Sequence, residues 1–126
     1  MELDYIDNIN EFGEDVVRLY KFDKSQAIKF RDLIKDTIVI KKQKLDLSEV
    51  DFIERRNCNL ILGLFKEDEG ILSNDNITFY CALTLECYNN MLKLLEPFCK
   101  KETKAYQYLY DIDNPIDFLF SPAGTW

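Results

Sequence analysis

The chain has 126 residues, a formal net charge of −7 and no histidine. That length suits one domain whose core stands without metal or disulfide, and 47% apolar with 31% charged residues excludes a disordered chain. Without histidine there is no Ser-His-Asp triad, no Cys-His dyad and no His-ligated zinc, copper or haem, while the negative balance argues against a phosphate backbone as main partner.

Residues 1–15 are acidic. Tyr5, Ile6, Ile9 and Phe12 fall at helix-like spacing, so a short helix or a docked arm is expected there, ended by Gly13. V-V-R-L-Y-K-F from Val16 is rich in β-formers and reads as a strand. Asp23 with Gln26 three residues on is a capping-box pair that opens a helix. Its stripe is Ala27, Phe30, Ile34 and Ile38, with Lys29, Arg31, Lys35 and Asp36 opposite. The β-branched run over 37–40 is expected to turn the chain into extended structure.

Residues 45–47 and 50–54 read as short strand pieces around Ser48-Glu49. Cys58, Leu60, Leu62 and Leu64 then alternate with Asn59, Ile61, Gly63 and Phe65. Both sets are too apolar for an edge, which predicts a central strand. Residues 66–70 make a turn in which Gly70 supplies a positive φ. Alternation resumes from Ile77 to Leu83. Thr84 is an N-cap for a second helix carrying Tyr88, Met91, Leu92, Leu95 and Phe98. Pro97 is expected to kink or stop that helix near Glu96.

Residues 105–126 read as a hairpin around Asp113-Asn114-Pro115, followed by a tail. Tyr106, Tyr108 and Tyr110 share one predicted face of its first strand; Ile116, Phe118 and Phe120 share one of its second. The tail ends FLFSPAGTW. Aromatic rings that each bury ~150–250 Å² are not left in water, so Phe118, Leu119, Phe120 and Trp126 are expected to fold back as a latch. The fold class is therefore α+β: a mainly antiparallel sheet with two amphipathic helices on one face, in the order β-α-β-β-β-α-β-β. Residues 1–126 form one domain.

Motif chemistry is sparse. The N-terminal MELDYIDNIN has neither a basic nor an apolar leader region, and no run reaches the ~18 apolar residues of a membrane span, so a cytoplasmic protein is expected. Cys58, Cys81, Cys87 and Cys99 form no C-x-x-C pair and are expected as reduced thiols, with Cys87 near enough to a helix N-terminus for a lowered pKa to be considered. Four unclustered glycines supply neither a phosphate loop nor a dinucleotide fingerprint, and no cofactor is expected. The stretch opening at Asp111 resembles the start of a calcium loop but puts Ile116 at the sixth position and Pro122 at the twelfth, where Gly and Glu are needed.

Charge is uneven. Residues 1–23 hold seven acids and two bases, 24–65 nine bases and six acids, and 66–126 ten acids and five bases. Tyr106, Tyr108 and Tyr110 beside Asp111, Asp113 and Asp117 make a face suited to protein binding, because tyrosine gives contact area at low entropy cost and the acids attract a basic partner. The function expected is a non-catalytic acidic binding module, such as an inhibitor or immunity-type protein for a basic enzyme. Two other readings stand beside it: a carboxylate-based, metal-dependent enzyme using Glu67-Asp68-Glu69 or the three aspartates, and a homo-oligomer that docks its C-terminal strand on a neighbour.

Overall fold

Period-two alternation decides the first element. In the computed structural model, which describes residues 1–7 and 13–123, Glu2–Ile6 is a strand, β1. Leu3 is wholly buried, and the Tyr5 ring lies 4.6 Å from that of Phe79. The helix expected over residues 1–15 is thus corrected to a strand over Glu2–Ile6: the helix-like spacing relied on Ile9 and Phe12, which lie outside the described residues. β1 pairs antiparallel with β2 (Asp15–Tyr20) and parallel with the two-residue β4 (Glu54–Arg55).

Helix α1 (Lys24–Leu33) opens as its sequence specifies. Asp23 Oδ1 accepts from the Gln26 amide at 2.8 Å, and the Gln26 side chain accepts from the Asp23 amide at 3.4 Å. Beyond Leu33 the chain does not extend. Ile34–Ile40 continues as wider π turns, closed by Lys41 N–H donating to the Asp36 carbonyl five residues back. Ile38 is fully buried with Ile34, Phe30 and Ala27, so the apolar stripe keeps this segment helical, and widening relieves the crowding of its β-branched side chains.

Helix α2 (Leu85–Lys100) starts at Thr84, whose Oγ1 accepts from the Cys87 amide. It runs on through Pro97 rather than stopping near Glu96. Phe98 and Cys99 are buried beyond the proline, and the Phe98 ring sits 5.0 Å from Phe120; this packing holds the last turn despite one missing hydrogen bond.

The structure is α+β, and its strands form two sheets. One has the order β4-β1-β2-β9-β8, with β8 at Gln107–Tyr108 and β9 at Ile116–Ser121; the other has the order β3-β5-β7-β6, with β3 at Leu45–Asp46, β5 at Asn59–Leu64, β6 at Gly70–Leu72 and β7 at Thr78–Leu83. A short 3₁₀ turn, Leu47–Glu49, follows β3, and residues 50–53 are turn and irregular chain rather than the strand expected. β5 and β7 are central, as their two apolar faces require, but they run parallel, and antiparallel β6 closes the far edge of β7. The C-terminal hairpin survives only as the short β8–β9 ladder. The main partner of β9 is β2, in a parallel ladder from Asp15↔Ile116 to Tyr20↔Ser121. No tight turn joins these strands, so hydrophobic pattern alone sets their pairing.

One contiguous core lies between the inner faces of both sheets and the two helices. Of the residues expected in the latch, Phe118, Leu119 and Phe120 are completely buried. Phe120 meets Phe22 at 4.1 Å, Phe30 at 5.7 Å and Phe98 at 5.0 Å between ring centroids. Trp126 lies outside the described residues. Among the described residues, no helix is long and apolar enough to cross a membrane. Phe120→Ala removes the ring where two helices and β2 converge, and denaturant melts are expected to show a loss of about 3–5 kcal/mol.

Candidate functional site

The six residues singled out in 106–117 separate into layers. Tyr106 is 47% exposed and meets the half-buried Tyr108 edge to face, with ring centroids 6.0 Å apart. Tyr110 leaves this face. It is 4% exposed, its hydroxyl donates to the Ile116 carbonyl, and it accepts from the Ile71 amide at 3.1 Å. The expected three-tyrosine face fails because only Gln107–Tyr108 is strand; two residues cannot carry alternation as far as position 110. Burial raises the Tyr110 hydroxyl pKa far above its usual value, so Tyr110 acts as a neutral strut tying the 111–116 loop to β6.

That loop is fixed at a second point. Asn114 Nδ2 donates to the carbonyls of Glu69 and Ile71, and its Oδ1 accepts from the Ile116 amide at 2.7 Å. Gly70 makes this approach feasible. Its φ is +80°, as the turn chemistry predicts, and a Cβ there would stand 2.7 Å from Asn114 Nδ2 and 2.9 Å from the Ile112 methyl.

Held in this way, Asp111 and Asp117 join side chains from distant parts of the chain. Two shallow depressions run along the exposed flank of α2 and share Asn90, Tyr110, Asp111 and Ile112. The first, about 630 Å³, is also lined by Asp68, Glu86, Asn89 and Lys93. The second, about 610 Å³, adds Glu14, Gln107, Tyr108 and Asp117. Five carboxylates (Glu14, Asp68, Glu86, Asp111 and Asp117) thus line one groove, and Lys93 is the cation among its described lining residues. Asp113 is exposed on the loop above. Among the described residues, no Lys or Arg forms an ion pair with Asp111, Asp113 or Asp117.

Electrostatics record the crowding. Burial, followed by the charges of Glu14 and Asp111, raises the Asp117 carboxyl above the ordinary carboxylate range. The Cys87 thiol is pushed up to about 11 by burial and by Asp68 and Glu86. The lowered pKa considered for it at the helix start is therefore reversed, and Cys87 stays protonated. Glu67 and Asp68 are exposed, and Asp68 Oδ1 accepts from the Thr84 amide at 2.8 Å, bracing the start of α2. Among the described residues, no three Cys, Asp or Glu side chains gather as a cation cage.

Sequence reading singled out Asp111 and Asp117, and Asp68 only as part of a separate Glu67-Asp68-Glu69 cluster, but not Glu14, Glu86, Asn89 or Asn90. A signal existed for the helix residues: Glu86, Asn89, Asn90 and Lys93 recur at three and four along the polar side of α2. Comparison with known protein families, curated proteins and solved structures finds no match to this chain.

Two outcomes are expected. Gly70→Ala forces a side chain into a positive φ and into Asn114, and should cost about 1–3 kcal/mol in a chemical melt. For Asp117, the folded state binds the proton more tightly than the unfolded chain, because the folded pKa is the raised one. Its contribution is full below the unfolded pKa and is lost as pH rises through the folded value. Asp117→Asn should therefore stabilise at neutral pH, by ~1 kcal/mol or less given solvent screening, and the gain should vanish in melts run below about pH 4.

Proposed function

We propose that this chain is a non-catalytic, acidic protein-binding module whose partner presents lysine and arginine side chains to the groove between α2 and the 111–117 loop. One observation supports the reading: across two adjoining depressions that share Asn90, Asp111 and Ile112, five carboxylates stand with Lys93 as the cation among the described lining residues, and burial together with the charges of Glu14 and Asp111 raises the Asp117 carboxyl. Elsewhere several charges are paired within the fold. Arg18 grips Asp4 through two hydrogen bonds of 3.0 and 2.8 Å, Arg56 pairs with Glu2, and Arg31 reaches Glu96. Asp111 and Asp117, which form no ion pair with a described Lys or Arg, offer the groove's negative charge to another molecule.

Tyr106 and Tyr108 stand beside it as rigid, amphipathic contact area. Carboxylates over a pre-formed groove, whose described thiol, Cys87, is held protonated, suit capping better than chemistry. An inhibitor that covers the basic substrate-binding surface of an enzyme is the concrete form of this proposal.

The test is a titration of the full chain, observed by amide NMR, with a blocked hexa-arginine peptide at low and high salt. The reading expects shifts concentrated at Asn89, Asn90, Asp111 and Asp117, strongest at low salt. The double variant Asp111→Asn/Asp117→Asn should weaken binding roughly tenfold, each charge being worth ~0.5–1 kcal/mol. Shifts scattered over the whole surface, or affinity indifferent to both substitutions, would remove the groove as the binding site.

A further inference from the structure

The two sheets treat their outer faces differently. On β1 and β2 the outward side chains are tied down: the Arg18 guanidinium lies 3.8 Å over the Tyr20 ring and is clamped by Asp4. Among the described residues, the outer face of the β3-β5-β7-β6 sheet has no such cover. Register sets Tyr80 between Ile61 and Leu72 in one row, and Gly63 beside Ala82 in the next. Phe65, Leu72 and Tyr80 are 45%, 44% and 48% exposed, although the inward residues Leu60, Leu62, Phe79 and Cys81 on these strands are buried.

Gly63 is the informative residue. It lies inside a central strand, where glycine is destabilising relative to alanine. Its backbone does not need the freedom, because the positive-φ glycines of the described chain are Gly13 and Gly70. Packing does not forbid a side chain either. The one close neighbour of a Cβ there would be Lys44 Cγ at 3.3 Å, part of a flexible chain. What the missing side chain does is leave a depression of about 230 Å³, walled by Ile61, Phe65, Tyr80, Ala82 and Lys44.

We infer that this depression is a docking site for a short segment of a partner protein, which inserts one large apolar side chain over Gly63 and sets a carboxylate against Lys44. Size argues for a segment: the exposed apolar residues are a handful, far short of the ~20–30 residues per side of a stable protein–protein interface, which a second copy would need. Charge argues for an acidic one. Lys44 has no ion-pair partner among the described residues, Lys41 and Lys42 precede it, and residues 24–65 carry nine bases against six acids. An apolar floor with one unneutralised ammonium at its rim selects an apolar side chain next to Asp or Glu. This site lies on a different element from the acidic groove, so each can fail alone.

The experiment uses the full chain with two blocked tetrapeptides, Asp-Leu-Trp-Asp and Lys-Leu-Trp-Lys, titrated by amide NMR. The acidic peptide should shift Ile61, Gly63, Tyr80 and Ala82, and the basic one should leave them unmoved. Gly63→Val fills the depression; it should abolish those shifts while raising Tm by roughly 2–4 °C. Lys44→Glu, at an exposed position that leaves the core intact, should weaken the acidic peptide roughly tenfold. The inference is overturned if neither peptide moves these amides, or if Gly63→Val lowers Tm and so shows the glycine to be structural. Concentration-dependent dimerisation abolished by Tyr80→Lys would also overturn it, since the face would then belong to a second copy.

Discussion

Everything in this structure depends on β9 lying beside β2. The ladder from Asp15↔Ile116 to Tyr20↔Ser121 joins the two ends of the sequence as neighbouring parallel strands. Closing a loop of roughly a hundred residues costs entropy that local structure does not return. The return comes from burial: Val17 and Leu19 on one strand, with Phe118 and Phe120 on the other, all enter the core. Phe120 touches Phe22, Phe30 and Phe98, so the same side chain that anchors the C-terminal strand also orients both helices. Parallel pairing between such distant segments predicts late, cooperative closure rather than early hairpin formation.

The groove inherits its geometry from that closure. β9 positions Asp117 directly, and through Leu109 N–H donating to the Phe118 carbonyl at 2.8 Å it also positions β8. Asn114 and the Tyr110 hydroxyl then fasten the intervening loop to β6, which brings Asp111 to the flank of α2. A surface feature assembled from β9, β6 and α2 is therefore tied directly to the core beneath it. Tyr88 plays a similar part from below. Its buried hydroxyl accepts from the Gly63 amide at 3.0 Å and donates to the Cys81 carbonyl, linking α2 to both central strands of the second sheet. Burial raises its pKa far above the usual value, so this link stays neutral.

Sequence reading was most accurate where one local signal decided the outcome. The Asp23–Gln26 capping box, the Thr84 cap, the positive φ of Gly70 and the central position of β5 are all present. It fell short where long-range packing overrode local preference. The β-branched run at 37–40 stayed helical because Ile38 belongs to the same stripe as Phe30, and Pro97 was tolerated because Phe98 is held by Phe120. Division into two sheets and the parallel ladders involve partners chosen across the whole chain, which no short window records. For the groove the same limit applied: Asp111 and Asp117 were visible as a local cluster, but Glu14, Asp68 and Glu86 join them only after folding.

The most direct measurement is native-state hydrogen exchange on the amides of β2 and β9. If this ladder is the keystone, those amides exchange only through global unfolding, with the same free energy as the denaturant melt and as the slowest amides of α2. Exchange of β9 through a local opening well below that free energy, with α2 and the second sheet still protected, would contradict the account.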